Sequence, residues 1–125
     1  MIYIRKHVIW FGSSPSNDIC LENFNSSHIC QCITERHACL YYDRKRNLFE
    51  LLNYSEYGTI VNDLRYGLGT IHDNDDEQKY DNLQRCLCLT KSLSHSNWDG
   101  PAQIEQGTVI KIGCHEFLFY RHIVR

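Results

Sequence analysis

Between Thr34 and Asp63 the chain sets two apolar runs between polar loops. His37 to Tyr42 and Leu48 to Leu52 are rich in aromatic and aliphatic residues, and the segment joining them, Asp43-Arg44-Lys45-Arg46-Asn47, is wholly polar. That pattern predicts an antiparallel hairpin with one buried face. A hairpin runs out along one strand and back along the next. It therefore brings the loops Thr34 to His37 and Asn53 to Thr59 to the same end of the sheet, where a rigid scaffold can present them side by side.

The flanks extend the same reading. Ile2 to Phe11 is a strand candidate interrupted by Arg5-Lys6-His7. Gly12 to Asn17 is a loop, and Asp18 to Leu21 a short strand. Glu22 to Ile33 reads as loop. Ile60-Val61 and Leu64 to Tyr66 are short strands about the turn signal Asn62-Asp63. Near the end, Val109 to Ile112 and Glu116 to Tyr120 flank Gly113-Cys114-His115 as a second hairpin. Ile110, Ile112, Phe117 and Phe119 alternate there as a half-buried sheet requires. No long apolar helical period appears, so the expected class is all-β, a sandwich of short antiparallel strands.

Residues 68–100 break this rhythm as a long insertion before the last hairpin. They carry an acidic cluster, Asp73-Asn74-Asp75-Asp76-Glu77, then Cys86-Leu87-Cys88. The polar stretch from His72 to Asp81 reads as a mobile loop, and a short helix over Asp81 to Leu87 is allowed.

A chain of 125 residues fits one domain, here 1–125, with room for a real core. A net charge of −2 gives no bulk argument for nucleic acid or membrane binding. The one dense basic run, Arg44-Lys45-Arg46, falls in the predicted turn. Seven cysteines, with no apolar leader at the start, point to a reducing compartment, the cytosol or nucleus. The chain also reads as a possible domain of a longer protein.

Five pieces in order carry a resemblance. They are Gly12-Ser13, Asp18-Ile19, Thr34-Glu35-Arg36-His37-Ala38, Asn53 to Asn62 with its Gly58-Thr59, and Gly107-Thr108-Val109-Ile110-Lys111-Ile112-Gly113. Together they resemble the forkhead-associated (FHA) domain family, whose fold is a β-sandwich. The resemblance implies a recognition edge built from three loops. In the phosphothreonine-reading members an Arg after the first-loop Gly grips the phosphate, a Ser and its neighbour add hydrogen bonds from the second loop, a Ser/Thr helps from the third, and the Asn before its Gly holds the peptide backbone.

This chain departs at nearly all of those positions. Ser13 stands for the Arg and Thr34 for the Ser. Glu35 is its neighbour, Glu56 takes the third-loop contact, and Tyr57 replaces the Asn. Phosphate brings about −1.5 to −2 charges and calls for fixed donors and a guanidinium fork. Two carboxylates oppose it, and Arg36 alone does not outweigh them. The expected edge is therefore Ser13, Thr34, Glu35, Arg36, Ser55, Glu56 and Tyr57, used for protein contact without phosphate. Tyr54 and Tyr42 are read as half-buried and core. Gly12, His37, Gly58 and Thr59 are read as structural. The alternative is a phosphothreonine reader that uses non-standard cations.

The run Glu50 to Glu56 and Cys86-Leu87-Cys88 resemble more particularly the FHA region of PHD-finger subunits in Sin3-type histone deacetylase corepressors. That implies a nuclear, chromatin-associated role with Sin3-type corepressor or histone deacetylase complex subunits as partners. Cys30, Cys32, Cys86, Cys88 and His28 are a candidate structural zinc set, although Cys-x-Cys is tighter than the usual spacing. Cys20, Cys39 and Cys114 read as core thiols. An enzyme built on Cys39 or Cys114 with His37 or His115 lacks any nucleophile motif, so no catalytic residue is expected.

Overall fold

The computed structural model describes residues 6–21, 30, 32–67, 94–96, 98 and 100–121. Ten strands run in chain order: β1 (Val8–Gly12), β2 (Ile19–Cys20), β3 (Ala38–Asp43), β4 (Leu48–Asn53), β5 (Thr59–Val61), β6 (Leu64–Tyr66), β7 (Ser94–His95), β8 (Ala102–Ile104), β9 (Val109–Ile112) and β10 (His115–Leu118). They form two five-stranded sheets, ordered β2-β1-β3-β4-β8 and β10-β9-β5-β6-β7.

The central hairpin is β3-β4, in register from Ala38 opposite Asn53 to Asp43 opposite Leu48. Its turn is closed by the Asp43 carboxylate, which accepts the N–H groups of Lys45 and Arg46. Asn47 ends the turn at φ 54°, a left-handed conformation that Asn tolerates better than most residues. Period-two alternation turns Ile9, Phe11, Ala38, Leu40, Leu51, Ala102 and Ile104 inward from the first sheet. Val61, Ile110 and Ile112 meet them from the second. Rings lock the two layers together: Phe11 meets Phe117 at 5.5 Å, and Phe49 meets Phe119 at 5.1 Å. The seam is apolar on both sides, so its burial is the main stabilising term.

The sheets are mixed rather than purely antiparallel. β2 lies parallel to β1, and β7 parallel to β6. In the first case the chain loops back through Ser13 to Asp18 and re-enters in the same direction. In the second, Ser94–His95 returns from the long insertion to extend the second sheet, so part of that insertion belongs to the sandwich. The stretch His72 to Asp81 and the helix allowed over Asp81 to Leu87 lie outside the described residues, which contain no α-helix.

Cys39 is buried as expected. Cys114 is not: it sits in the β9–β10 turn and is exposed, because that turn points its second residue away from both layers.

Candidate functional site: a three-loop edge

His37 joins the loops at one end of the sandwich. It is fully buried. Its N–H donates to the Phe11 carbonyl at 2.8 Å, and its own carbonyl accepts from the Tyr54 N–H at 2.8 Å. The ring continues the pattern. Nδ1 accepts from the Thr34 N–H at 3.3 Å, and Nε2 lies 2.8 Å from the Gly58 carbonyl. An acceptor at Nδ1 and a carbonyl at Nε2 together require the neutral ring with its proton on Nε2. Burial lowers the His37 pKa, and the Gly58 carbonyl only partly offsets that effect. The expected structural role of His37 agrees with this geometry.

The first and second loops are stitched backbone to backbone. Ser13 N–H donates to Thr34 O at 3.1 Å, and Ser14 N–H to Glu35 O at 3.3 Å. Asn17 adds a clamp, with Nδ2 donating to Ser14 O at 2.9 Å and Glu35 O at 2.6 Å. Gly12 is what allows this approach, since a Cβ there would overlap the Glu35 carbonyl.

The third loop is shaped from Asn53. Its Oδ1 accepts from Ser55 N–H at 3.2 Å and from Thr59 Oγ1 at 2.8 Å, while Nδ2 donates to Ser55 O at 2.8 Å. This is an Asx-type turn closed twice over. Gly58 follows at φ +80°, where a side chain would be strained. Ser55 differs from its expected place on the edge. It is 3% exposed, and its hydroxyl accepts the Tyr57 N–H at 3.1 Å. It fixes the loop's shape because the turn folds over it.

The outward groups are therefore Ser13, Thr34, Glu35, Arg36, Glu56 and Tyr57. Thr34 spends its hydroxyl proton on the Arg36 carbonyl at 3.1 Å. Glu35 and Glu56 are exposed, and Ser13 and Tyr57 half-buried. Arg36 stacks sideways: its guanidinium carbon lies 4.5 Å from the centroid of the Trp10 ring. Tyr54 also packs on Trp10, its ring centroid 5.1 Å away. Tyr54 is 56% exposed rather than half-buried, because it follows the last ladder residue of β4 and leans on Trp10 from outside. Tyr42 is half-buried between sheets, 4.9 Å from Phe49.

Trp10 itself was not read from the sequence as part of the edge. The alternation of β1 was the available signal: with Ile9 and Phe11 inward, residue 10 must face out. Asp18 anchors this corner. It accepts the Trp10 N–H at 2.9 Å and the Lys6 ammonium at 2.8 Å. The Lys6 hydrogen bond, followed by the one from Trp10, lowers its pKa.

Of the candidate zinc set, Cys32 is buried and Cys30 half-buried beside Gly113 and Ile33. His28, Cys86 and Cys88 lie outside the described residues. Among the described residues no three ligating side chains converge. Burial pushes the Cys39 thiol up, which keeps it protonated at neutral pH.

Comparison with known proteins agrees with the fold. A structure from a study of phosphothreonine-dependent FHA domain interactions is 16% identical, with a TM-score of 0.57 over 97% of this chain and 83% of that one. Mycobacterium tuberculosis EmbR in complex with a low-affinity phosphopeptide is 15% identical, with a TM-score of 0.53 over 92% of this chain; the match spans 20% of EmbR. The FhaA FHA domain, complexed with the intracellular domain of another protein, is 14% identical, with a TM-score of 0.51 over 94% of this chain and 84% of that one. At these identities the likeness shows the fold. The FHA domain family model matches residues 9–76, more than half of the chain and all three loops. The chain belongs to the FHA domain family.

Proposed function

We propose that this FHA domain is a non-catalytic protein-interaction module whose loop edge binds its partner without phosphate. One observation carries the reading. Ser13 stands where phosphothreonine readers of the family place an arginine, and the exposed residues of the second and third loops include the carboxylates Glu35 and Glu56. Like charges at contact distance repel, by about 1 kcal/mol at 4 Å in bulk water and more near a protein surface. Arg36 does not redress the balance, because one guanidinium stands against two carboxylates. The phosphopeptide complex among the structural relatives favours a second reading, a phosphothreonine reader with non-standard cations.

The partner follows from the particular resemblance of Glu50 to Glu56 and Cys86-Leu87-Cys88 to the FHA region of PHD finger protein 12. On that basis the domain is a nuclear scaffold that joins Sin3-type corepressor or histone deacetylase complex subunits. Zinc at Cys30 and Cys32 with Cys86, Cys88 or His28 would brace the insertion; metal analysis of protein purified without chelator tests it. The function is tested by titrating the purified domain with recombinant Sin3-type and histone deacetylase subunits. Saturable binding that Tyr54→Ala weakens supports it, and no binding to any subunit rejects the assignment of partner.

A further inference from the structure

On the outer face of the second sheet, Arg65, Ile60 and Lys111 lie in one cross-strand row, β6 to β5 to β9. Arg65 is only 6% exposed. Its stem packs toward Gly58, whose added Cβ would meet Arg65 Cγ at 3.0 Å. Its Nε is buried with no hydrogen-bond partner, and among the described residues no carboxylate forms an ion pair with it. A buried N–H donor without an acceptor is a costly arrangement. Breaking a buried pair by removing one partner is strongly unfavourable for the same reason.

Arg65 lines a half-open cleft together with Lys111, Tyr57, Gly58, Ile60, Cys32 and Gly113. The cleft is shallow and opens to solvent. Lys111 stands at its margin and touches the exposed Asp63 only at 3.9 Å. The same cross-strand row continues to Glu116, opposite Lys111 on β10, and to His95, opposite Arg65 on β7.

We propose that this cleft is a receptor for a single oxyanion, a terminal carboxylate or phosphoryl group of a protein ligand. One oxygen enters beside Arg65 Nε while the remainder of the group meets Lys111 at the mouth. A charge-assisted N–H···O bond would satisfy the orphaned donor. The site shares Tyr57 and Gly58 with the third loop of the edge. It stands whether or not that edge ignores phosphothreonine, and it adds a second contact to any peptide that crosses Tyr57.

The test is an NMR titration of the intact domain with inorganic phosphate and, separately, with acetate, at constant ionic strength set by chloride. The readout is the Arg65 side-chain Nε–H resonance together with the amides of Ile60 and Lys111. Saturable shifts with both anions support a general oxyanion site, and shifts with phosphate alone support a phosphoryl site. Arg65→Gln should remove the amide response, with its fold checked by the His37 ring signals. Lys111→Gln, a substitution at a more exposed position, should weaken binding by roughly fivefold, the loss of one charge-assisted contact. A linear, unsaturated response, or identical curves for the parent and both variants, would overturn the proposal.

Discussion

The His37 ring bridges two recognition loops, with Nδ1 accepting from Thr34 and Nε2 2.8 Å from the Gly58 carbonyl. One neutral side chain thus holds the second loop against the third. Protonation would place a second ring N–H against the Thr34 N–H, which has nothing to accept it. The loop edge and the stability of the sandwich are therefore coupled through a single titratable group.

Stability should fall in mild acid for this reason. The folded His37 pKa is depressed below 6.5 by burial, so the unfolded chain binds the extra proton first. The contribution is fully present above about pH 6.5 and is lost as pH falls below it, by at most about 1.4 kcal/mol per pH unit for one proton. Urea unfolding at pH 7.5 and 5.5 measures it. His37→Asn should be less stable at pH 7.5 and show a flatter dependence; equal slopes would refute the role.

Gly12→Ala should destabilise by about 2 kcal/mol or more, since the new Cβ collides with the Glu35 backbone rather than with a movable side chain. Asn17→Ala removes one hydrogen bond to the second loop and one within the first, and should cost about 1–2 kcal/mol. Thermal or urea unfolding gives both values. A near-neutral Gly12→Ala would mean that the first two loops can part without penalty.

Much of this was legible in the chain. The β3–β4 hairpin followed from Leu40, Leu51 and a wholly polar turn, and the shared end of the loops followed from the hairpin. The parallel strands β2 and β7 were not legible as such: two residues each carry no period, and their pairing is decided by the sheets they join. Ser55 looked like an edge contact because its burial comes from the Asn53 turn folding over it. Arg65 carries no signal of its own in the sequence, because its enclosure comes from the approach of Gly58, Tyr57 and Cys32. Trp10 was legible from alternation, but its stacking with Arg36 depends on where the second loop lands.

Trp10→Ala should loosen the edge more than the fold. It removes the support of both Arg36 and Tyr54, worth about 0.5–1.5 kcal/mol per ring pair beyond area. Partner affinity should drop by about tenfold if these rings are anchors. Calorimetry against a bound partner, with unfolding as the control, separates the two effects. An unchanged affinity would remove the Trp10 corner from the interface.

Restoring the family pattern should restore its chemistry. A domain carrying Ser13→Arg, Glu56→Ser and Tyr57→Asn gains a guanidinium, loses a carboxylate and recovers the amide. It should bind a phosphothreonine peptide at least about tenfold more tightly than the parent, because phosphate then meets a charge-assisted donor. Fluorescence anisotropy measures the ratio; no gain would place the obstacle elsewhere than at these positions.

The most direct measurement compares a degenerate phosphothreonine peptide library with its unphosphorylated twin, using the amide signals of Ser13, Thr34 and Ser55 as the readout. The account predicts the same response, or none, to both libraries. Saturable shifts at those amides with the phosphorylated library alone would contradict it and make this edge a phosphothreonine reader built on other cations.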